Sequence, residues 1–174
     1  MSKQLIIFLH GYESSNQGFK ANLIRNTFKN TLIPNFEGEL SGRMKKLDKI
    51  LKDKSKLIII GSSFGGLMGS LYAFNHPTDV ERLILFAPAL SSPFLDQDLN
   101  FDPIDIPVII IHGKHDTVVP LDPVKTFCKK YFKNLSYNVV DDDHRLHKTS
   151  ESLDWVKLVS KGKIVLKNNK KKIN

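Results

Sequence analysis

Leu57-Ile58-Ile59-Ile60-Gly61-Ser62-Ser63-Phe64-Gly65-Gly66-Leu67-Met68-Gly69-Ser70-Leu71 is the stretch on which the reading of this chain turns. Its first four residues are branched and apolar, the mark of a strand buried on both faces. Beyond them Phe64, Leu67, Met68, Leu71 and Tyr72 fall at helical spacing. The turn between is too short for an ordinary loop, and Ser63 sits at its tip. Gly61 and Gly65 lie two residues before it and two after. G-x-S-x-G on a strand-turn-helix holds its serine in strained backbone geometry, so that the hydroxyl projects into a cleft. Strand and helix then pass so close that side chains at the two flanking positions collide, and glycine removes the collision. Ser62 does not fit the tip, because its flanking positions are Ile60 and Phe64. A glycine-rich turn that merely joins strand to helix is the plainer alternative, and the flanking elements argue against it.

Around this stretch the chain alternates short apolar strands with amphipathic helices. Strands are predicted over 4–9, 31–36, 57–60, 82–86, 107–111 and 137–140. Helices are predicted from 16 or 17 to 29, over 42–53, after the turn at 63, over 122–132 and over 146–159. Residues 88–105 carry three prolines and no clear period, so they read as loop with at most one short helix. Residues 164–166 are a possible stray strand. Few hairpin signals accompany this alternation, which implies an α/β fold with a mostly parallel sheet of about six strands and right-handed crossovers.

With 174 residues, one domain over 1–160 is the simple division, followed by a basic tail over 161–174. The net charge is +8, from 26 Lys and Arg against 18 Asp and Glu. Six of those lysines lie in 161–174, where there is no acid; without them 20 basic residues face 18 acidic ones. The charge is thus mostly a tail property, which argues against a nucleic-acid-binding body. No apolar run is long enough for a membrane span or a signal-peptide core, so no stable membrane insertion is expected. Cys128 is the single cysteine, which excludes an internal disulfide and predicts a reducing, cytoplasmic setting. Cys128 itself reads as a structural helix cysteine despite neighbouring Lys129 and Lys130.

In parallel sheets, catalytic loops gather at the carboxyl ends of the strands. Four loops meet there: those after Leu9, Ile60, Ile111 and Val140. A serine needs a base to take its proton, and the base needs a carboxylate to hold its tautomer. Where such a turn carries the nucleophile, acid and base follow it along the chain in that order. Asp116, in the loop after Ile111, is the candidate acid. His144, in the loop after Val140, is the candidate base. His147 falls in the opening turn of the last helix and is the rival base. His10, His112 and His115 precede the wrong elements and read as backbone-bonded loop histidines, while His76 reads as a helix cap before Pro77. Asp141, Asp142 and Asp143 read as residues that bend the turn. The oxyanion needs N–H donors: Phe64 after the nucleophile, and Tyr12 in the loop after the first strand, where Gly11 permits a sharp turn.

Four segments carry a resemblance: Phe8-Leu9-His10-Gly11-Tyr12-Glu13-Ser14-Ser15, Gly61-Ser62-Ser63-Phe64-Gly65-Gly66, Gly113-Lys114-His115-Asp116-Thr117-Val118-Val119-Pro120 and Asp143-His144-Arg145-Leu146. They look like the signature segments of α/β-hydrolases. Over about residues 4–159 the chain is similar to the small, lidless bacterial serine esterases, including the YqiA-like group. The resemblance implies an α/β-hydrolase fold whose first strand here corresponds to the family's third, and a segment 88–105 too short for a cap domain. It implies a serine esterase of the Ser63, Asp116, His144 type that needs no metal or organic cofactor and acts on a small-molecule ester. An acyl thioesterase with the same residues is the first alternative, and a catalytically idle binding protein the second. An uncapped cleft is expected to be open and shallow and to favour short acyl chains. Its expected lining is Tyr12, Phe64, Leu90 and Phe94, with His10 as a further candidate substrate-binding residue.

Overall fold

The computed structural model describes residues 4–91, 93–96 and 99–160. In it the strands are β1 (Leu5–Leu9), β2 (Thr31–Leu32), β3 (Leu57–Ser62), β4 (Val80–Phe86), β5 (Ile104–Gly113) and β6 (Phe132–Val140). The helices are α1 (Phe19–Thr27), α2 (Leu40–Leu51), α3 (Phe64–Asn75), α4 (Leu121–Tyr131), α5 (His147–Ser152) and α6 (Trp155–Ser160). The strands form one all-parallel sheet in the order β2-β1-β3-β4-β5-β6.

Alternate residues of each strand feed opposite faces, which splits the core in two. Ile7, Leu9, Ile59, Leu85 and Ile110 pack with Leu47 of α2, Leu67 of α3 and Phe127 of α4. Phe8, Ile58, Ile60, Phe86 and Ile111 pack with Ile24 of α1 and with Trp155 and Leu158 of α6. The helices that follow β1 and β3 therefore leave toward opposite faces, although the two strands are neighbours. The chain steps from β1 outward to β2, then returns to place β3 on the other side of β1. That reversal opens a crevice at the carboxyl ends of β1 and β3, the usual place for a site in such sheets. Between β4 and β5 the described residues form neither helix nor strand, so there is no cap domain.

Several elements differ from expectation for local reasons. The second strand is only Thr31–Leu32, because Pro34 cannot donate to the ladder. The first helix starts at Phe19, since Ser15 to Gly18 form a turn closed by Gly18 N–H on the Ser15 carbonyl at 3.1 Å. Strand β5 begins at Ile104, three residues earlier than expected, with a register irregularity between Ile104 and Pro107 that accommodates the proline. Strand β6 follows α4 without a loop and includes polar Lys133, Asn134 and Ser136, which an edge strand tolerates. The predicted last helix is two helices. Leu153 adopts extended backbone, and Asp154 Oδ1 accepts the Lys157 N–H at 2.9 Å, a new N-cap.

His76 caps α3 through its backbone N–H on the Tyr72 carbonyl. Cys128 is buried, and burial pushes its thiol pKa up. No described helix is long and apolar enough to cross a membrane. The lysine-rich segment 161–174 and the possible strand at 164–166 lie outside the described residues.

Candidate active site

Ser63 stands between β3 and α3 with φ 53° and ψ −115°, in the sparsely populated half of backbone space. The strain is held by neighbours. Ser63 N–H donates to the Phe86 carbonyl at 2.8 Å, and the Ser63 carbonyl accepts from Gly66, Leu67 and Ala89. The two flanking glycines are needed for different reasons. A Cβ on Gly61 would lie 2.6 Å from the Gly65 carbonyl oxygen, the strand-helix approach expected from the motif. A Cβ on Gly65 would instead overlap the Leu9 carbonyl at the end of β1. Gly65 thus lets α3 seat against the strand that bears the loop containing Tyr12.

His144 Nε2 lies 3.1 Å from Ser63 Oγ, and His144 Nδ1 lies 2.8 Å from Asp116 Oδ2. The acid and base come from the loops after β5 and β6, which are laced together. Lys114 N–H donates to the Val140 carbonyl and His115 N–H to the Asp142 carbonyl. A Cβ on Gly113 would meet the Asp142 carbonyl at 2.5 Å and overlap that of Asp143, so only glycine lets these loops touch. The aspartates beside His144 shape its turn. Asp142 Oδ2 accepts from Thr149 N–H, and Asp143 Oδ1 accepts from Arg145 and Leu146 N–H. Asp141 pairs with His115 at the surface.

The Asp116 carboxylate is fully buried, while the His144 side chain is 19% exposed. Burial alone would raise the Asp116 pKa. Hydrogen bonds from His112, His144 and the N–H groups of Val119 and Val118 outweigh it and hold the carboxyl well below the usual carboxylate range. His112 belongs to this site although its sequence position did not announce it. Its Nε2 lies 3.0 Å from the Val119 carbonyl, as expected of a backbone-bonded histidine, and also 3.2 Å from Asp116 Oδ2. A carbonyl only accepts, so Nε2 carries the proton. His112 Nδ1 lies 2.8 Å from the hydroxyl of Tyr137, which continues the chain of polar contacts into the sheet.

On the other side of Ser63, the loop after β1 is close enough that a Cβ on Gly11 would sit 3.5 Å from Ser63 Cβ. Phe64 is the first residue of α3, so its N–H has no partner within the helix. The rings of Tyr12 and Phe64 meet edge to face at 5.2 Å. Arg43, at 3% exposure, lies against both rings, with its guanidinium carbon 4.8 Å and 5.3 Å from their centroids. Its Nη2 donates to the Tyr12 carbonyl at 3.3 Å and its Nε to the Gly38 carbonyl at 2.7 Å. The spacing Arg43, Leu47, Leu51 is the buried stripe of α2. That spacing was the available signal, but an arginine reads as solvent-facing.

A cleft of about 910 Å³ opens over Ser63 and His144. Tyr12, Phe64 and Phe94 line it. Leu90 and His10 do not, which corrects their assignment as substrate-binding residues. Leu90 is fully buried in the core. His10 is also buried, with Nδ1 against the Gly11 carbonyl and Nε2 accepting the Phe36 N–H. His147, the rival base, lines the cleft with its ring against Phe19 at 4.2 Å, and no contact joins it to Ser63.

Among solved structures, one from Xanthomonas campestris pv. campestris assigned to the α/β-hydrolase superfamily matches with TM-score 0.72 at 22% identity, over 87% of this chain and 92% of that one. Alpha/beta hydrolase domain-containing protein 10 from mouse matches with TM-score 0.67 at 21% identity, over 83% and 84%. A monoacylglycerol lipase from Paleococcus ferrophilus matches with TM-score 0.62 at 15% identity, over 83% and 90%. At these identities the likeness establishes the fold, that of the α/β-hydrolases. No curated protein sequence matches the chain. The model of an uncharacterised protein family, UPF0227, matches residues 5–101, which include Tyr12, Ser63 and Phe64. The chain belongs to that family.

Proposed function

We propose that this protein is a serine hydrolase of carboxylic esters, with Ser63 as nucleophile, His144 as base and Asp116 as the carboxylate that orients it. One observation carries the reading: the unbroken contact from Ser63 Oγ through both His144 nitrogens to the buried Asp116, with Ser63 and His144 lining the cleft. Ser63 attacks the ester carbonyl as His144 Nε2 takes its proton. The N–H groups of Tyr12 and Phe64 hold the tetrahedral oxyanion, a contribution of about 3 kcal/mol per donor in comparable sites. His144 then protonates the leaving alcohol, and water repeats the sequence on the acyl-enzyme. These steps use only protein groups and water. The similarity in fold to a lipase supports the ester as substrate.

The acyl portion is read as short. With no cap over the cleft, the outer methylenes of a long chain stay in water and forgo the ~0.8 kcal/mol that burying each would contribute. Purified protein is expected to hydrolyse p-nitrophenyl acetate and butyrate faster than the laurate. A fluorophosphonate is expected to modify Ser63 alone, as read by peptide mass. Absence of both hydrolysis and labelling refutes the ester-hydrolase reading; fastest turnover of the longest ester refutes only the chain-length part.

A further inference from the structure

Lys20, the second residue of α1, is the feature of the cleft that ester hydrolysis does not use. The residue is only 9% exposed, yet it lines the cleft with Ser63 and His144. Its Nζ donates to the Arg145 carbonyl at 2.5 Å and stands 5.8 Å from the centroid of the Phe86 ring, a face that gives a cation partial compensation but accepts no strong hydrogen bond. An ammonium has three donors, and this bond occupies one. Among the described residues, no carboxylate lies within 4.0 Å of that nitrogen; the ion pairs at that distance all involve histidines. Asp142 and Asp143 act on it from farther away, and both accept backbone N–H groups of their own turn. A buried cation is normally paired, because leaving it unpaired forfeits its hydration without return. Burial pulls the Lys20 amine down to about 8, so at neutral pH it is still mostly charged. The acids on the cleft rim, Glu13, Glu39 and Asp143, are exposed, where water screens them.

We propose that Lys20 is an anion receptor, and that the ester this cleft takes carries a carboxylate or phosphate group that pairs with Lys20 Nζ. This rests on the ester-hydrolase reading and names its substrate class. Lys20 holds the residue next to His144, so its replacement also disturbs the base. The informative quantity is therefore a ratio: kcat/KM for an anionic ester over that for its neutral match.

Two matched pairs separate the sources of the charge. Mono-p-nitrophenyl glutarate against p-nitrophenyl pentanoate places it on the acyl side. 4-Acetoxyphenylacetate against its methyl ester places it on the leaving group. In at least one pair the wild type is expected to favour the anion by about tenfold or more, the worth of one charge-assisted hydrogen bond. Lys20→Met is expected to bring that ratio to about one, and Lys20→Arg to retain most of it. In the wild type the ratio should also fall as pH rises through about 8, where the amine loses its proton. Arg145 and His147 share the cleft lining. Equal rates within both pairs overturn the proposal, as does a preference that survives in Lys20→Met. If that variant does not fold, a wild-type ratio unchanged from pH 6.5 to 9.5 overturns it. Failure to hydrolyse all four esters would sink the ester-hydrolase reading as well, whereas hydrolysis without preference sinks this one alone.

Discussion

Asp116→Asn is expected to lower kcat about 10⁴-fold while KM stays within a few-fold of wild type, by analogy with the same change in serine proteases. The reason lies in which atoms around Asp116 give protons. Oδ1 accepts the N–H groups of Val118 and Val119 at 2.9 and 2.8 Å. Oδ2 faces His144 Nδ1 at 2.8 Å and the protonated His112 Nε2 at 3.2 Å. All four neighbours present a proton to the carboxylate. An asparagine has one acceptor end and one donor end. Keeping its oxygen on the two backbone N–H groups turns its NH₂ toward both histidines. His144 must then accept at Nδ1 and carry its proton on Nε2, the tautomer that cannot take the Ser63 proton. Flipping the amide restores the histidine side and sets the NH₂ against two backbone donors instead.

The same variant has a signature in stability. The Asp116 carboxyl sits well below its ordinary range in the fold, so its ionised form is the one the fold stabilises. That contribution is present above the unfolded value of about 3.9 and disappears as pH falls through the folded one. Urea midpoints of wild type and Asp116→Asn should converge as pH is lowered below about 4. A variant with kcat within tenfold of wild type removes Asp116 from the proposed chemistry, whatever the melts show.

Much of this was legible in the residues, for physical reasons that differ by element. The central strands read clearly because Leu57 to Ile60 and Val108 to Ile111 are buried on both faces, and such strands are uninterruptedly apolar. That Asp116 and His144 would meet was legible because a parallel sheet brings loops after successive strands to one edge. What was not legible is whatever depends on a side chain reaching across elements. Arg43 and Lys20 are cations on amphipathic helices, and the pattern assigns such residues to solvent. Nothing local shows that one lies against Tyr12 and Phe64 and the other reaches the Arg145 carbonyl. Leu90 erred in the opposite direction. A leucine in a loop near the cleft looks available to substrate, but the Ser63 carbonyl accepts the neighbouring Ala89 N–H and the Leu90 side chain is packed inside. His112 was half legible: its backbone bond was expected, its contact with Asp116 was not.

Gly65→Ala is the substitution expected to do most damage to the fold. Its added methyl would overlap the Leu9 carbonyl oxygen and carbon and come 2.7 Å from the His10 carbonyl oxygen. These are backbone atoms, so no rotamer relieves the clash. β1 has no room to retreat either, being paired on both edges, to β2 and to β3. The helix is equally fixed, since Ser63 at its entrance is tied to Phe86 and Ala89. The strain therefore goes into separating α3 from β1, and a loss beyond about 4 kcal/mol is expected, the range reserved for severe core defects. Gly42→Ala is the matched control. Gly42 is exposed in α2, and nothing lies within 4 Å of the Cβ it would gain. There alanine should stabilise by about 0.5–1 kcal/mol through helix propensity alone. Soluble yield and urea midpoints of the two variants measure the contrast. If Gly65→Ala melts within a few degrees of wild type, α3 and the end of β1 are not in the close contact described. The loop bearing Tyr12 would then not be held against Ser63, and the oxyanion site proposed for Tyr12 and Phe64 would lose its structural basis.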